Sequence, residues 1–255
     1  MLAKAPSLAA DEVIVDLEDG VAEQDKDLAR EEGTLAVRDS AARTTALRMN
    51  GLHTEWWQDD IAAAAEARPD VVVVPKVESP DDVAAVAERL PPGTGIEAQI
   101  ETARGLAEVE RIAAAGHGLE ALVFGPADFA ASVGVPVLTI GAGTFDYALA
   151  RIAVAARANG LQPIDGPWAV LDDEEGLVSS SRRALVHGFD GKWVIHPTQI
   201  GPVNAIFTPS DEEVARAERL LASAGGAARL DGELVDAASL RLAEALLARA
   251  RSGPM

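Results

Sequence analysis

The stretch VIVDLEDGVA, residues Val13–Ala22, joins a short apolar run to a cluster of acids. Its apolar residues are consecutive and do not alternate with polar ones, which is typical of a strand buried on both faces of a parallel sheet. Three carboxylates, Asp16, Glu18 and Asp19, come at the end of the run, and Gly20 allows a tight exit from the strand. The stretch therefore predicts an α/β fold with a cluster of acids at the end of its first strand.

Six further apolar runs repeat this pattern along the chain. The predicted strands are Val13–Leu17, Ala46–Met49, Val71–Pro75, Ile96–Ile100, Ala121–Phe124, Gln162–Ile164 and Trp193–Ile195. Helix signals separate them: Ser79 followed by Pro-Asp-Asp marks one start, and Ser210 with Glu213 forms a capping box at another. Further predicted helices cover residues 103–115, 147–159, 174–187 and 238–250.

This strand and helix alternation favours a (β/α)8 TIM barrel. A doubly wound dinucleotide-binding sheet is the alternative, but the chain has no Gly-rich phosphate loop. Only seven strands are predicted where a closed barrel needs eight, and the opening residues MLAKAPSLAA have the composition of a helix. We therefore expect a (β/α)8 barrel that lacks its first strand.

We expect two parts in the chain. A barrel catalytic domain is predicted over residues 1–208, and a C-terminal helical extension or lid over residues 209–255. Within the extension, residues 225–233 are rich in Gly and Ala and indicate a hinge between two helices.

The composition excludes several classes of function. A length of 255 residues is typical of one α/β barrel, and no apolar run is long enough to span a bilayer. No signal peptide is evident, so we expect a cytoplasmic protein. The absence of cysteine excludes disulfides, thiolate metal sites and a cysteine nucleophile. The net charge of −19 disfavours nucleic acid and anionic membranes as partners, but allows a small anionic ligand bound by a local cluster of Arg and Lys.

Ionisable residues follow nearly every predicted strand. The active sites of parallel α/β barrels lie at the carboxyl ends of the strands, so this distribution predicts a site there. The residues concerned are Asp16, Glu18, Asp19, Arg48, Lys76, Glu78, Glu101, Asp128, Asp165 and His196.

Two of these carboxylates, Glu101 and Asp128, end adjacent strands and suit Mg²⁺, which takes its remaining ligands from water and substrate. The alternative for either residue is an acid in the first turn of a helix. Zinc is disfavoured, because the four histidines, including His196, show no ligand spacing.

The basic residues at the strand ends indicate an anionic substrate. Arg48 offers a planar fork for a substrate carboxylate, or alternatively an ion pair with Asp16 or Glu18. Lys76 is predicted to bind substrate, with a salt bridge across the barrel mouth as the alternative.

Nine motifs resemble, in order along the chain, the HpcH/HpaI aldolase superfamily, which includes the citrate lyase beta subunit and the malyl-CoA lyases. These motifs are DLEDGVA, LRMNGLHTEWWQDD, VVVPKVES, IETARGL, LVFGPADFAAS, ARIAVAARANGLQPIDGP, GFDGKWVIHPTQI, FTPS and LDGELVDAAS. Three of them, FGPADFAAS, ARANGLQPIDGP and GKWVIHPTQI, are most similar to the L-malyl-CoA/β-methylmalyl-CoA lyase branch, with citramalyl-CoA lyases as near neighbours.

The resemblance implies a Mg²⁺ site, a CoA thioester substrate and a homotrimer or hexamer. It implies that Glu101 and Asp128 hold the metal and that Arg48 holds the oxo-acid. It also implies that Asp236 is the catalytic acid–base, on a C-terminal segment that can reach a neighbouring subunit. Read without the resemblance, Asp236 would be a helix N-cap. Asp16, Glu18 and Asp19 match family acids that lie behind the metal and orient water and Arg48. Lys192, Arg182 and Arg183 are candidates for the CoA phosphates.

The activity implied is a Mg²⁺-dependent CoA-ester lyase (oxo-acid-lyase) that cleaves a 3-hydroxyacyl-CoA reversibly. Malyl-CoA or β-methylmalyl-CoA would give acetyl- or propionyl-CoA and glyoxylate. The alternatives are a citramalyl-CoA lyase or citrate lyase beta-subunit-like protein, a CoA-independent pyruvate-type aldolase, and a non-catalytic relative. Family members usually begin with a strand that carries an Arg and ends in Pro-Gly. No such segment precedes the first predicted strand, so we expect an open sheet edge.

Overall fold

A parallel seven-stranded sheet forms the centre of the computed structural model, which describes residues 8–135, 145–223, 228–230 and 233–252. The strands are β1 (Val13–Asp16), β2 (Thr45–Arg48), β3 (Val71–Val74), β4 (Gly95–Ile100), β5 (Leu119–Phe124), β6 (Gln162–Asp165) and β7 (Gly191–Lys192). Each strand pairs in parallel with the next one along the chain. This order confirms the α/β fold predicted from the consecutive apolar runs.

Helices alternate with the strands, and most of them pack on the outer face of the sheet, whereas the last two pack against each other. The helices are α1 (Lys26–Arg38), α2 (Trp57–Ala67), α3 (Pro80–Ala87), α4 (Ala103–Ala107), α5 (Val109–Ala113), α6 (Pro126–Ser132), α7 (Asp146–Ala158), α8 (Glu174–Val186), α9 (Ile200–Phe207), α10 (Asp211–Ala222) and α11 (Ala237–Ser252). Both predicted helix starts are confirmed, because capping boxes at Ser79 and Ser210 begin α3 and α10. No helix within the described ranges is long and apolar enough to cross a membrane.

The two faces of the sheet form separate apolar clusters. The outer face contributes most of the core and packs under the helices, through residues such as Leu47, Val72, Val74, Ile100 and Leu122. A small cluster on the inner face contains Ala46, Val71 and Val73, against which Ile14 and Trp193 pack. Because Trp193 follows β7, the sheet curls until its last strand approaches its first. It forms a half-barrel in which β1 and β7 do not pair with each other over the residues described.

The last strand of the sheet differs from its prediction. We predicted Trp193–Ile195, whereas β7 is Gly191–Lys192, and the Trp193 N–H donates to Asp165 O at 2.8 Å as the ladder ends. The strand was misplaced because its lysine is buried by an ion pair with Asp165 and not by apolar character.

Two helical predictions also differ. The single helix predicted over 103–115 is divided at Glu108 into α4 and α5. The predicted hinge at 225–233 contains strand β8 (Ala228–Leu230), which pairs in an antiparallel hairpin with β9 (Glu233–Val235). The predicted N-terminal helix falls largely on residues 1–7, outside the described residues, and residues 8–10 are not helical. The domain boundary at 208/209 stays a prediction.

Candidate active site

A bidentate ion pair joins the ends of β1 and β2. Asp16 and Arg48 are register partners, so their side chains point to the same face of the sheet. Nε and Nη2 of Arg48 each donate to one Asp16 carboxylate oxygen at 2.7 Å, and Nη1 lies 3.1 Å from Glu18 Oε2. The Trp193 ring centroid lies 5.8 Å from the guanidinium carbon. The predicted ion pair with Asp16 and Glu18 is therefore present, and it fixes the direction of the guanidinium.

The protonation states at this pair are set by burial and by hydrogen bonding. Burial alone would raise the pKa of Asp16, but the Arg48 guanidinium and the N–H groups of Glu18 and Gly20 lower it below its usual value. Burial opposes the charge on Arg48, but the bonds to Asp16 raise its pKa above the usual value. Burial raises the pKa of Glu18 against the opposing effects of Lys76 and Arg48. Arg48 is consequently a fixed positive charge at the barrel mouth.

Lys76, directly after β3 and Pro75, brings together four acids from three different segments. Its Nζ donates to Glu18 Oε1 and lies 3.7 Å from Asp128, 3.9 Å from Glu101 and 4.0 Å from Asp19. Its backbone is left-handed, with φ of 53°, and its N–H donates to Glu101 Oε1 at 2.8 Å. The predicted salt bridge across the barrel mouth is present, and one ammonium stands among four carboxylates.

Glu101 is the most enclosed of these carboxylates, with a side chain 2% exposed. Gln99 Nε2 donates to its Oε2 at 3.0 Å. Burial raises the pKa of Glu101 to about 7, and the neighbouring carboxylates Glu18 and Asp128 add to the increase while Lys76 opposes it. A Cβ at Gly125 would lie only 2.2 Å from Glu101 Oε2. A glycine at position 125 is therefore required for the observed position of this carboxylate.

Asp128 lies in the first turn of α6, and its side chain is 37% exposed. One buried and one solvent-facing carboxylate thus meet at the Lys76 ammonium, and carboxylate oxygens are the ligands that Mg²⁺ prefers. In the described part of the chain, no group of three or more His, Cys, Asp or Glu side chains has metal-ligand geometry. Glu101 and Asp128 therefore fit a cation that keeps open positions for water and substrate.

Asp236 lies apart from this cluster. Its Oδ1 accepts hydrogen bonds at 2.9 Å from the N–H groups of Ala238 and Ser239, so it caps the start of α11 and is exposed. The bond from the Ser239 N–H is the main reason that its pKa is below the usual value. Over the described residues, no hydrogen bond or ion pair joins Asp236 to Arg48 or Lys76. Its catalytic role stays a prediction.

Two of the three cations suggested for CoA phosphates, Lys192 and Arg183, have partners within the chain. Lys192 is 2% exposed, and its ammonium donates to Asp165, to Gly166 O and to Ser180 Oγ. Arg183 donates from Nε to Asp146, while Arg182 lies exposed on α8. All three ammonium protons of Lys192 are engaged, so its arrangement gives no support to a phosphate-binding role.

His196 is also occupied locally, because its side chain is exposed and caps the short turn Pro197–Gln199. Two further residues of the site were missed by sequence reasoning. Gln99 supports Glu101, and Trp193 flanks Arg48. Gln99 could have been found, because polar residues alternate with apolar ones along β4 and so share its inner face with Glu101.

Comparison with known proteins places the chain in one family. A model of the HpcH/HpaI aldolase/citrate lyase family matches residues 1–197. The L-malyl-CoA/beta-methylmalyl-CoA lyase of Cereibacter sphaeroides is 38% identical over 284 aligned positions, covering 97% of this chain and 89% of the lyase. The (3S)-malyl-CoA thioesterase of the same organism is 38% identical over 260 positions, covering 98% of this chain and 90% of the thioesterase.

A solved structure supports the same placement. CitE from Mycobacterium tuberculosis, in complex with magnesium, acetoacetate and coenzyme A, is 36% identical. The match covers 98% of this chain and 92% of that one, with a TM-score of 0.83. The chain belongs to the HpcH/HpaI aldolase/citrate lyase family.

Proposed function

We propose that this protein is a Mg²⁺-dependent CoA-ester lyase. It cleaves a 3-hydroxyacyl-CoA such as malyl-CoA or β-methylmalyl-CoA reversibly to acetyl- or propionyl-CoA and glyoxylate. The observation that carries the proposal is the convergence of Glu101 and Asp128 on the Lys76 ammonium, which shares Glu18 as a partner with the fixed guanidinium of Arg48. The similarity to malyl-CoA lyases over nearly the whole chain supports the substrate class.

Glu101 and Asp128 would hold the metal ion. When bound, Mg²⁺ supplies a Lewis acid that stabilises negative charge developing on the substrate oxygen. The space that Gly125 leaves for Glu101, and the hydrogen bond from Gln99, keep the buried ligand in one orientation.

The basic residues would bind the oxo-acid half of the substrate. Arg48 presents a planar guanidinium, and Asp16 and Glu18 fix its direction from behind. Lys76 adds a second positive charge for substrate binding, held in place by Glu18 and Asp19. These contacts orient the scissile bond before cleavage, so that little reorganisation remains for the reaction itself.

Asp236 would act as the acid–base group that transfers a proton to and from the enolate carbon of the acyl-CoA. Cleavage turns the substrate hydroxyl into the carbonyl of the oxo-acid, and the hydroxyl proton passes to water. The electron pair of the C–C bond passes to the thioester, which becomes an enolate, and the enolate carbon then takes a proton from Asp236. In the condensing direction the ionised carboxylate removes that proton. Because Asp236 is exposed and remote from the site contacts of its own chain, we place it in the site of a neighbouring subunit. The protein would then act as a homotrimer or hexamer in the cytoplasm.

A second candidate is hydrolysis of malyl-CoA, in which water attacks the thioester carbon and the CoA thiolate leaves. One observation favours it. The alignment with the thioesterase spans 260 positions, close to the length of this chain, whereas the alignment with the lyase spans 284 and must open gaps in this chain. A citramalyl-CoA lyase or citrate lyase beta-subunit-like protein, a CoA-independent aldolase and a non-catalytic relative remain as alternatives.

One assay distinguishes these functions. The purified protein is given (S)-malyl-CoA, β-methylmalyl-CoA, (S)-citramalyl-CoA or a free hydroxy-oxo acid, with Mg²⁺ or with EDTA. Phenylhydrazine traps the oxo-acid and a chromogenic disulfide detects free CoA thiol. We expect Mg²⁺-dependent glyoxylate release without thiol release. Thiol and malate without oxo-acid would instead establish the thioesterase, pyruvate would indicate the citramalyl-CoA lyase, and turnover of only the free acid would indicate the aldolase. No turnover together with no Mg²⁺ binding would establish the non-catalytic relative.

A further inference from the structure

A buried lysine lies beneath the candidate active site. Lys26, the first residue of α1, is 6% exposed. Its ammonium donates to Leu17 O at 2.8 Å, to Glu18 O at 2.7 Å and to Asn50 Oδ1 at 2.7 Å. An ammonium has three protons, so this lysine is fully hydrogen-bonded. The Trp56 ring centroid lies 5.3 Å from Nζ, and no carboxylate of the described residues forms a salt bridge with it.

The acceptor Asn50 is itself held from the other side. Its backbone N–H and its Nδ2 both donate to Asp60 Oδ2, at 2.8 and 2.6 Å. Asp60 is fully buried, and its Oδ1 accepts from Arg30 Nε at 2.7 Å. Lys26, Asn50, Asp60 and Arg30 thus form one continuous network, which we call the Lys26 network.

The Lys26 network joins the two loops that carry the substrate-facing charges. Glu18 lies in the loop after β1, and its backbone carbonyl is one of the Lys26 acceptors. Asn50 lies in the loop after β2, two residues beyond Arg48. The 3.1 Å contact between Glu18 Oε2 and Arg48 Nη1 therefore depends on a spacing that one buried ammonium sets.

Burying an ammonium is costly even when all its hydrogen bonds are made. An apolar side chain of similar length would avoid that cost but would leave the two backbone carbonyls and the Asn50 amide oxygen without this donor. Carbonyl acceptors, however, impose directions and distances that apolar packing does not impose, because hydrogen bonds have narrow geometry. A lysine at this position therefore both satisfies the three acceptors and fixes the distance between the two loops.

We propose that Lys26 is a positioning residue, which sets the separation of Glu18 and Arg48 and so aims the guanidinium at the oxo-acid. It acts through these residues and does not touch substrate. The identity of the ligand in this inference rests on the proposed function. The claim that Lys26 sets the Glu18–Arg48 geometry is independent of it.

The test compares Lys26→Met, which keeps the length of the side chain and removes its donors, with the matched control Arg38→Met. Arg38 lies on the same helix and pairs with Glu66 at the surface. Binding of glyoxylate in the presence of Mg²⁺ is measured by calorimetry. We expect Lys26→Met to weaken binding by about 10-fold or more, as for other residues that orient ligand-binding groups. Mg²⁺ binding alone should change by less than about twofold, since the network contacts neither Glu101 nor Asp128. Glyoxylate binding equal to the wild type would overturn the proposal, as would an equal loss in the control.

A second measurement needs no ligand and so separates this inference from the proposed function. The coupling between Glu18→Gln and Arg48→Lys is measured by urea unfolding, with Lys26 present and with Lys26→Met. We expect the coupling to be lost in the Lys26→Met background, and an unchanged coupling would contradict the proposal even if the wild type proves to be an active lyase. If Lys26→Met does not fold, Asn50→Ser serves in its place, because it removes one Lys26 acceptor and retains the backbone bond to Asp60.

Discussion

Asp16 and Arg48 are register partners on neighbouring parallel strands, and two 2.7 Å hydrogen bonds join both oxygens of the carboxylate to one guanidinium. Adjacent positions in a parallel sheet share a face, so the pairing of β1 with β2 places this pair at the barrel mouth without help from the loops. The sheet therefore fixes two of the guanidinium nitrogens before any substrate binds, and Glu18 in the loop after β1 contacts the third.

Replacement of Asp16 by Asn is expected to weaken oxo-acid binding. The amide places a donor against a guanidinium nitrogen that already donates, so Arg48 must turn away from its present direction. We expect glyoxylate affinity in the presence of Mg²⁺ to fall by roughly 10- to 100-fold, as is usual when an orienting carboxylate is removed. Calorimetry on Asp16→Asn is compared with Asp27→Asn, whose carboxylate is exposed and pairs only with Arg30. Equal affinity in both variants would refute the orienting role.

The same pair makes a prediction about pH. The pKa of Asp16 lies below 3.8 in the folded protein, because the bonds from Arg48 outweigh burial. A lowered folded pKa stabilises the protein above the unfolded pKa, and this contribution is lost as the pH falls through the folded value. The difference in Tm between the wild type and Asp16→Asn should therefore be largest above pH 4 and shrink below it. A difference that grows in acid would contradict this assignment.

Gly125→Ala tests the close approach of Glu101 to the backbone. The new methyl group would lie 2.2 Å from Glu101 Oε2, so the carboxylate would have to leave its hydrogen bonds from the Lys76 N–H and from Gln99. We expect Mg²⁺ affinity to fall by at least about 10-fold, because the orientation of a ligand is worth that much. The control is Gly201→Ala in α9, where a Cβ meets nothing within 4 Å. Mg²⁺ titration followed by calorimetry checks both variants, and tight binding by Gly125→Ala would remove Glu101 from the proposed metal site.

Glu97 is a buried acid for which the mechanism has no use. It lies on the inner face of β4, is 8% exposed, and its Oε2 has no hydrogen-bond partner among the described residues. Burial, with Glu12 and Glu120 adding to the effect, raises its pKa to about 8. A raised folded pKa leaves stability unaffected below the unfolded value near 4.5 and destabilises the protein increasingly as the pH rises toward 8.

Glu97→Gln should therefore stabilise the protein at alkaline pH. Since each pKa unit corresponds to about 1.4 kcal/mol, the rise from 4.5 to about 8 sets an upper bound of about 5 kcal/mol, and we expect a gain of a few kcal/mol at pH 9 and almost none at pH 4. Urea unfolding at both pH values measures the gain, with the exposed Glu32→Gln as the control. A gain of equal size at pH 4 would show that burial of the charge is not the cause.

Most of the sheet could be predicted from the sequence, because six of its strands lie in short, mostly apolar segments that alternate with helix signals. The seventh could not be placed correctly, because Lys192 is buried by Asp165 and an apolar criterion misses such a residue. The site acids were predicted because they follow apolar strands, and the carboxyl ends of parallel strands meet at one end of the barrel. The position of the Lys76 ammonium among four acids was not predicted. It goes with a left-handed backbone at Lys76, which the sequence gives no reason to expect of a lysine.

Substitution of Asp236 tests whether the active site is shared between two subunits. Among the described residues it caps α11 and hydrogen-bonds only at the start of that helix, so we expect its catalytic role to need a second subunit. Asp236→Asn retains the capping oxygen and removes the acid–base group, and Glu101→Gln removes a proposed metal ligand. Each variant alone should lose roughly 100-fold or more in turnover and in exchange of the acetyl-CoA methyl protons with deuterated water.

Co-expression of the two variants should restore activity. A productive site needs Glu101 from one chain and Asp236 from its neighbour, so random mixing in a cyclic oligomer gives about a quarter of wild-type activity. Separately purified variants, mixed without subunit exchange, are the control and should stay inactive. If the mixed oligomers also stay inactive while each single variant remains folded, Asp236 serves its own chain or none, and the proposed exchange between subunits is wrong.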